Sequence, residues 1–381
     1  MAVPRYRARP VKTSAGSTTW TVCDPRGIPC EDIDDFLHAL RARPASVNTI
    51  KTYSEHLSAL FTYLAIHHVP WDRVEHNDLS DFLVVYRSGV TPFEKRGGGV
   101  RGIPTLKGAA AAIRGFYDYQ RIDRGRGPQH LRLTREVPAG SRGDPHRFLA
   151  HIEARKEKRL VNSLSHGMPP ADPKIEIINF EDDFQLMLAA CATKRDQLAL
   201  SAYYDLGLRI GQTIGLKHAD LDPRRKEVKV IRREDNPNGA LSKRKGEFVV
   251  HAGMSRFFSI FRDYLLGEFI AANIDSDYVF INLSKGEIGR PVSYSNMYKQ
   301  CEAIGMRAGL GPVNPHMLRH THATALAKAG WTSAEIATRL GHRYSSSADV
   351  YIHLANSDLE KRLQETSHLV WPGVADVGNP T

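Results

Sequence analysis

Between Val313 and His353 the sequence concentrates side chains that can do chemistry: His316, Arg319, His320, His322, His342, Tyr344, Tyr351 and His353. A metal centre, an anion seat, or a nucleophile with its helpers could each be built from this set. His316 and His320 stand four apart, the spacing at which two imidazoles on one helix hold zinc. Met317 follows the first histidine, however, so the general-base glutamate of an HExxH helix is missing, and Arg319 puts a positive charge beside the pair. Both features disfavour a bound cation. An anion fits better. Asn314 is a good N-cap and Pro315 suits the first helical position, which places His316 and Arg319 on one face of the first turn. Free N–H groups and the positive end of the helix dipole point there. A histidine, an arginine and a helix N-terminus converging on one point make a phosphate seat.

The following stretch has its own punctuation. Thr332 and Glu335 fit a capping box, Ile336 and Leu340 give a buried face, and Gly341 suits a left-handed helix cap. His342 therefore falls at a sharp, specified turn. Serines 345–347 then start another helix, with Asp349 in its first turn and Tyr351 inside it. Tyr344 falls in the loop before it. An isolated arginine is usually a solvated ion-pair partner, and an isolated helical tyrosine is usually core. The assignment of roles thus depends on the whole constellation.

These groups need a scaffold. Residues 1–28 are polar, with "TTWTV" as a possible short strand. Ile33, Phe36, Leu37 and Leu40 keep helical spacing, and a second helix after Ser46 carries Ile50, Tyr53, Leu57, Leu60, Phe61 and Leu64. A third begins near Asp78. The glycine-rich "EKRGGGVRGIP" reads as a loop, and "TLKGAAAAIRGFYDYQ" as a fourth helix. This gives a helical unit over 29–122. Residues 123–172 read as a basic linker, rich in Arg, Gly and Pro, which could also contact a phosphate backbone. A second domain is expected over 173–371, followed by a tail, 372–381. Within it "RDQLALSAYYDLGL" is a helix stopping at Gly207, and a fresh helix starts at Leu208-Arg209. "EVKVIRR" and "GEFVVHA" are strands, with "NPNG" as a turn.

The chain's 381 residues, 41% hydrophobic and 25% charged, suit two or three soluble domains. A net charge of +10 favours an anionic partner, nucleic acid above all. Cys23, Cys30, Cys191 and Cys301 are too few and too scattered for a disulfide framework, and no CxxC pair suggests structural zinc. Nothing reads as a signal peptide or a membrane span. The expectation is a soluble protein of a reducing compartment.

The order of motifs is similar to that of the tyrosine recombinases, the phage and transposon integrases. "HMLRH", then "LGH", then Tyr351 nine residues beyond His342 resemble the family's C-terminal signature. "DLGLRIGQTIGLKHADLD" looks like its first arginine box, "SKRKGEFVVHA" like its lysine hairpin, and 29–122 like its core-binding domain. "RREDNPNGA" resembles the transposon-encoded branch. The resemblance covers roughly residues 30–365. It implies a mainly α fold with a small antiparallel β-sheet, in which two domains, a helical SAM-like one and a catalytic one, form a C-shaped clamp on DNA.

The resemblance also implies roles. Arg209 and Arg319 would clamp the scissile phosphate, for which a bidentate, permanently charged fork is suited. Tyr351 would be the nucleophile, giving a 3′-phosphotyrosyl link and a free 5′-hydroxyl. Lys243 would protonate that leaving oxygen, with Lys245 as the alternative. His316 would assist proton transfer at the tyrosine, and His342 would hydrogen-bond the phosphate. His320, His322 and His353 would buttress the site. No metal, cofactor or ATP is implied, since two arginines and a lysine supply the charge and the covalent ester stores the bond energy. Partners would be duplex DNA, a homotetramer on two DNA sites with a helix such as "SDLEKRLQET" docking on a neighbour, and accessory DNA-bending or directionality proteins. No membrane is expected, and the setting would be the bacterial cytoplasm at the nucleoid. One departure is Gln212, where many relatives carry an acidic residue three positions after the arginine. Competing readings are a type IB topoisomerase with the same chemistry, an idle DNA-binding regulator on this fold, and a metal-dependent hydrolase.

Overall fold

The computed structural model describes residues 4–14, 16, 18–43, 46–94, 98–138, 158–169, 175–233, 235–240, 242, 246–342 and 345–352. Lys243, Lys245, Tyr344, His353 and the "SDLEKRLQET" segment lie outside the described residues. The chain divides into two compact units, Met1–Pro173 and Lys174–Thr381.

The first unit opens with an antiparallel hairpin of β1 (Arg7–Lys12) and β2 (Thr18–Cys23), with Arg7 opposite Cys23. The expected "TTWTV" strand is present, and its partner is the polar segment Arg7–Lys12. The hairpin is tied to the helices by Val22 in the core and by the Tyr6 amide, which donates to Thr62 Oγ1 at 3.0 Å. Four helices follow: α1 (Glu31–Ala42), α2 (Val47–Ile66), α3 (His76–Ser88) and α4 (Ile103–Asp118). Ser46 caps α2 by accepting from the Thr49 amide. Leu57, Leu60, Leu79, Phe82, Ile113 and Phe116 meet in one core. Gly115 lets α4 approach α1, since a Cβ there would lie 3.1 Å from the Phe36 ring.

Within the stretch read as a linker, β3 (Thr134–Pro138) pairs antiparallel with β4 (Lys158–Asn162). Asn162 Nδ2 donates to the Ala110 carbonyl at 2.7 Å, which fastens this pair to α4. Its Arg- and Gly-rich composition hides the strands, because one pair with few apolar residues leaves little period-two pattern.

The second unit is built around α6 (Lys194–Tyr204), preceded by α5 (Phe180–Ala189) and followed by the short α7 (Ile210–Thr213). Seven of the eleven residues of α6 are buried, which is the pattern of a helix covered on most sides. A three-stranded antiparallel sheet has the order β5 (Leu221–Asp222), β6 (Glu227–Val230), β7 (Phe248–His251). Helices α8 (Phe257–Tyr264), α9 (Tyr294–Arg307), α10 (Pro315–Lys328) and α11 (Ser333–Leu340) complete it. No helix among the described residues is long and apolar enough to cross a membrane.

Candidate active site

The site is assembled where three chain reversals meet. The first lies between α6 and α7. Gly207 has φ +65°, and a Cβ on it would lie 2.6 Å from the His322 ring and 2.7 Å from Leu340, so only glycine fits both the turn and the space. The turn delivers Arg209 as the residue that caps α7. The Arg209 amide donates to Gln212 Oε1 at 2.8 Å, and Gln212 is buried. A neutral amide oxygen thus does the capping that a carboxylate would do, without adding a negative charge beside the arginine.

The second reversal starts α10. Asn314 Oδ1 accepts from the amides of His316 and Met317 at 2.9 and 3.1 Å, with Pro315 next to it, as the sequence predicts. His316 lies exposed on this first turn. Arg319, one turn on, is only 3% exposed. Its Nη1 donates to the Gly207 carbonyl, and its Nη2 to the Leu340 carbonyl at 2.8 Å and to His342 Nε2 at 3.0 Å. One guanidinium therefore ties together the α6–α7 turn, the end of α11 and the histidine beyond it.

The third reversal is Gly341, in the left-handed region at φ 63°. A Cβ there would lie 2.7 Å from the Phe248 ring of β7, so the sheet and the end of α11 meet at this glycine. The turn fixes His342. Arginine can only donate, so His342 Nε2 must accept, and its proton sits on Nδ1. That Nδ1 is buried and has no protein partner among the described residues. Ser345–Ser347 form a short turn of helix, and Tyr351 follows with 3% exposure, packed with Ala323, Ala327, Ile336, Ala337, Leu340 and Ala348.

The electrostatics are dominated by two arginines. Burial first, then the charge of Arg209, pull the pKa of Arg319 down to about 9, which leaves it cationic at neutral pH. Burial lowers that of Arg209 as well. Neither arginine has a carboxylate partner among the described residues, and a buried charge is costly until one is supplied. Burial, with Arg319, Arg209 and His320 adding to it, holds His342 at about 4 and hence neutral. Burial raises the Tyr351 pKa above 10.0, against the pull of the two arginines, so the phenol is protonated in the empty site.

The structure thus gathers Arg209, Arg319, His342 and Tyr351 at one place, with His316 at its edge. Lys243 lies outside the described residues. Around its hairpin the "RREDNPNG" motif is more than a turn. Arg233 holds Asp220 through two bonds of 2.8 and 2.6 Å, and Asn238 Nδ2 donates to the carbonyls of Ile214 and Val292. His322 packs beneath the Gly207 turn, neutral with a pKa of about 3 from burial. His320 makes a hydrogen bond within the site, its Nδ1 lying 2.9 Å from Tyr351 Oη. No spacing rule could have found that contact, which depends on how the chain returns after Gly341. The i, i+4 relation of His316 and His320 is real, with ring centroids 6.2 Å apart. Among the described residues no group of three or more His, Cys, Asp or Glu could hold a metal ion.

Residues 179–358 match the phage integrase family, and residues 33–121 match the phage integrase N-terminal SAM-like domain. Transposase A from transposon Tn554 of Staphylococcus aureus is 28% identical over 341 residues, 88% of this chain and 90% of its own. Tyrosine recombinase XerC of Staphylococcus saprophyticus is 24% identical over 333 residues, 86% of this chain and 93% of its own. Among solved structures, XerH site-specific recombinase bound to a palindromic difH substrate has a TM-score of 0.57 at 18% identity, covering 89% of this chain and 84% of that one. A lambda integrase dimer bound to a COC′ core site has a TM-score of 0.53 at 12% identity, covering 84% of this chain and 93% of that one. At these identities the structural likeness is one of fold.

Proposed function

The chain belongs to the phage integrase family of tyrosine recombinases, and from that premise we propose that it cuts and rejoins duplex DNA at specific sites through a 3′-phosphotyrosyl intermediate on Tyr351. The observation that carries this reading is the buried Arg319 and half-buried Arg209, without a carboxylate partner among the described residues, set beside the buried Tyr351. A phosphodiester supplies the missing negative charge. Two of the five N–H groups of Arg319 are free of the three bonds described above and can face its non-bridging oxygens. Arg209 contributes a second cation, and the proton on His342 Nδ1 has no acceptor among the described residues.

In the proposed reaction Tyr351 Oη attacks phosphorus and the bond to the 5′ oxygen breaks. Lys243, or Lys245 from the same hairpin, gives that oxygen its proton, and His316 assists proton transfer at the tyrosine. Arginines do the work that Mg²⁺ does in other phosphoryl transfers, so neither metal nor ATP is required. The basic chain, the DNA-bound relatives and the SAM-like unit support duplex DNA as the partner. The helical unit, 29–122, and the catalytic domain, 173–371, would close on the duplex as a clamp, with the basic stretch 123–172 beside the backbone. Assembly is proposed as a homotetramer on two DNA sites, with accessory bending or directionality proteins, at the bacterial nucleoid.

The test is a nicked suicide substrate carrying the element's end. Wild type forms a covalent protein–DNA adduct in EDTA without ATP, and Tyr351→Phe forms none. Relaxation of supercoils without any site preference would move the reading to a topoisomerase.

A further inference from the structure

We propose that His320, rather than only the expected His316, accepts the Tyr351 proton during strand cleavage, and that the bound phosphodiester is what makes it able to do so. The proposal rests on the recombinase reading above. Its first support is geometric. His320 Nδ1 is 2.9 Å from Tyr351 Oη, with ring centroids 5.7 Å apart and the planes inclined at 42°. That is the reach a general base needs. Arg319 and its neighbour His320 point to different sides of α10, so one residue faces the phosphate seat and the next faces the nucleophile. Tyr351 is clamped in its apolar cluster, which leaves its hydroxyl little freedom to choose another partner.

The second support is the charge around the ring. His320 is held neutral, at about 4, by burial first and then by His316 and Arg319. His342 and Arg209 stand on the other elements of the site, with no carboxylate in the group among the described residues. The transfer uses the neutral tautomer with its proton on Nε2, in which the Nδ1 lone pair receives the phenol's hydrogen bond. In the empty site that ring is too weak a base, and the phenol is protonated as well. A phosphodiester seated on Arg209 and Arg319 offsets their charges. An opposite charge nearby favours the protonated form, so His320 becomes more basic when DNA arrives. The same anion is the electrophile. The nucleophile is then activated only when its target is in place.

The step balances. The Tyr351 O–H bond breaks and its proton goes to His320 Nδ1, giving an imidazolium. The phenol oxygen forms the bond to phosphorus, and the electron pair of the P–O5′ bond leaves with the 5′ oxygen, which is protonated by the hairpin lysine. Religation runs the same transfers backwards, and His320 returns its proton to the departing tyrosine.

The experiment measures adduct formation on the nicked suicide substrate, with enzyme saturating, across neutral to alkaline pH. At neutral pH His320→Ala is expected to slow adduct formation about 100-fold or more. The deficit should shrink as alkali ionises the tyrosine, and added imidazole should restore part of the rate. His320→Asn, which can hold the hydroxyl but not take its proton, should be as slow. Duplex binding by both variants, read separately, should match wild type. Asn at near-wild-type rate, or an Ala deficit equal at every pH and deaf to imidazole, would leave His320 as packing and overturn the proposal. So would the same alkaline and imidazole rescue appearing in His316→Ala instead. A wild-type enzyme that forms no adduct would instead sink the recombinase reading itself.

Discussion

Each unit of the molecule contains a histidine bonded to a tyrosine beside an arginine, and the proposed chemistry uses only one of the two pairs. In the first unit His56 Nδ1 lies 3.1 Å from Tyr86 Oη, and Arg101 sits 4.0 Å over the Tyr86 ring. In the second, His320 Nδ1 lies 2.9 Å from Tyr351 Oη, beside Arg319. Burial depresses both histidines to about 4 and raises both tyrosines. The difference lies in what surrounds them. Arg101 donates from Nη1 to the carbonyls of Tyr86 and Phe93. At Tyr351 two arginines converge, and a buried His342 N–H has no acceptor among the described residues. A His–Tyr bond is a common way to satisfy two buried polar groups. It becomes chemistry when an unfilled anion seat adjoins it.

The largest effect expected from that contrast is on the tyrosines. Tyr351→Phe should abolish the covalent adduct, whereas Tyr86→Phe should cleave at near-wild-type rate and lose roughly 1 kcal/mol of stability, read by denaturant melts of the two variants. The arginines come next. Arg319→Ala should lower the adduct rate on the order of a thousandfold through lost charge stabilisation, and Arg101→Ala less than about threefold, in single-turnover assays.

Acid should separate the pairs more finely. His56 titrates near 4 in the folded unit against an ordinary 6.5, so between those values the unfolded chain binds more protons. Its contribution to stability is whole above the upper value and is lost as pH falls through the lower one. The same sign holds for His320 and His342, both at about 4. Duplex DNA should raise the titration points of those two in an NMR titration, by about one unit or more, and leave His56 where it is. The smallest expected effect is that of EDTA. Adduct formation should be unchanged by it, and dependence on a divalent ion would point to a different chemistry.

The local signals were the most legible part of the sequence. Asn314 and Pro315 start α10, Thr332 and Glu335 cap α11, and Gly341 ends it, each where residue type alone places it. These features are set by neighbours within four residues, which is what a sequence displays. The role of Gly207 was not legible beyond stopping a helix, because the atoms that forbid a side chain there come from His322 and Leu340, far along the chain. The bond between His320 and Tyr351 joins residues 31 apart, and the i, i+4 spacing of His316 and His320 says nothing of it. The β1–β2 and β3–β4 pairs were hidden for a related reason. Arg, Lys and Pro within them obscure the alternation, and each pair is held in part by bonds to helices, Tyr6 to Thr62 and Asn162 to Ala110.

The central claim is the identity of the nucleophile, and the most direct measurement is to digest the trapped adduct and locate the nucleotide by fragment mass spectrometry. Tyr344 and Tyr351 fall in one segment, so the fragments must divide them. The account requires the phosphoryl group on the Tyr351 oxygen, bonded to the 3′ end of the cut strand. The same mass on Tyr344, or a 5′ linkage, would contradict it.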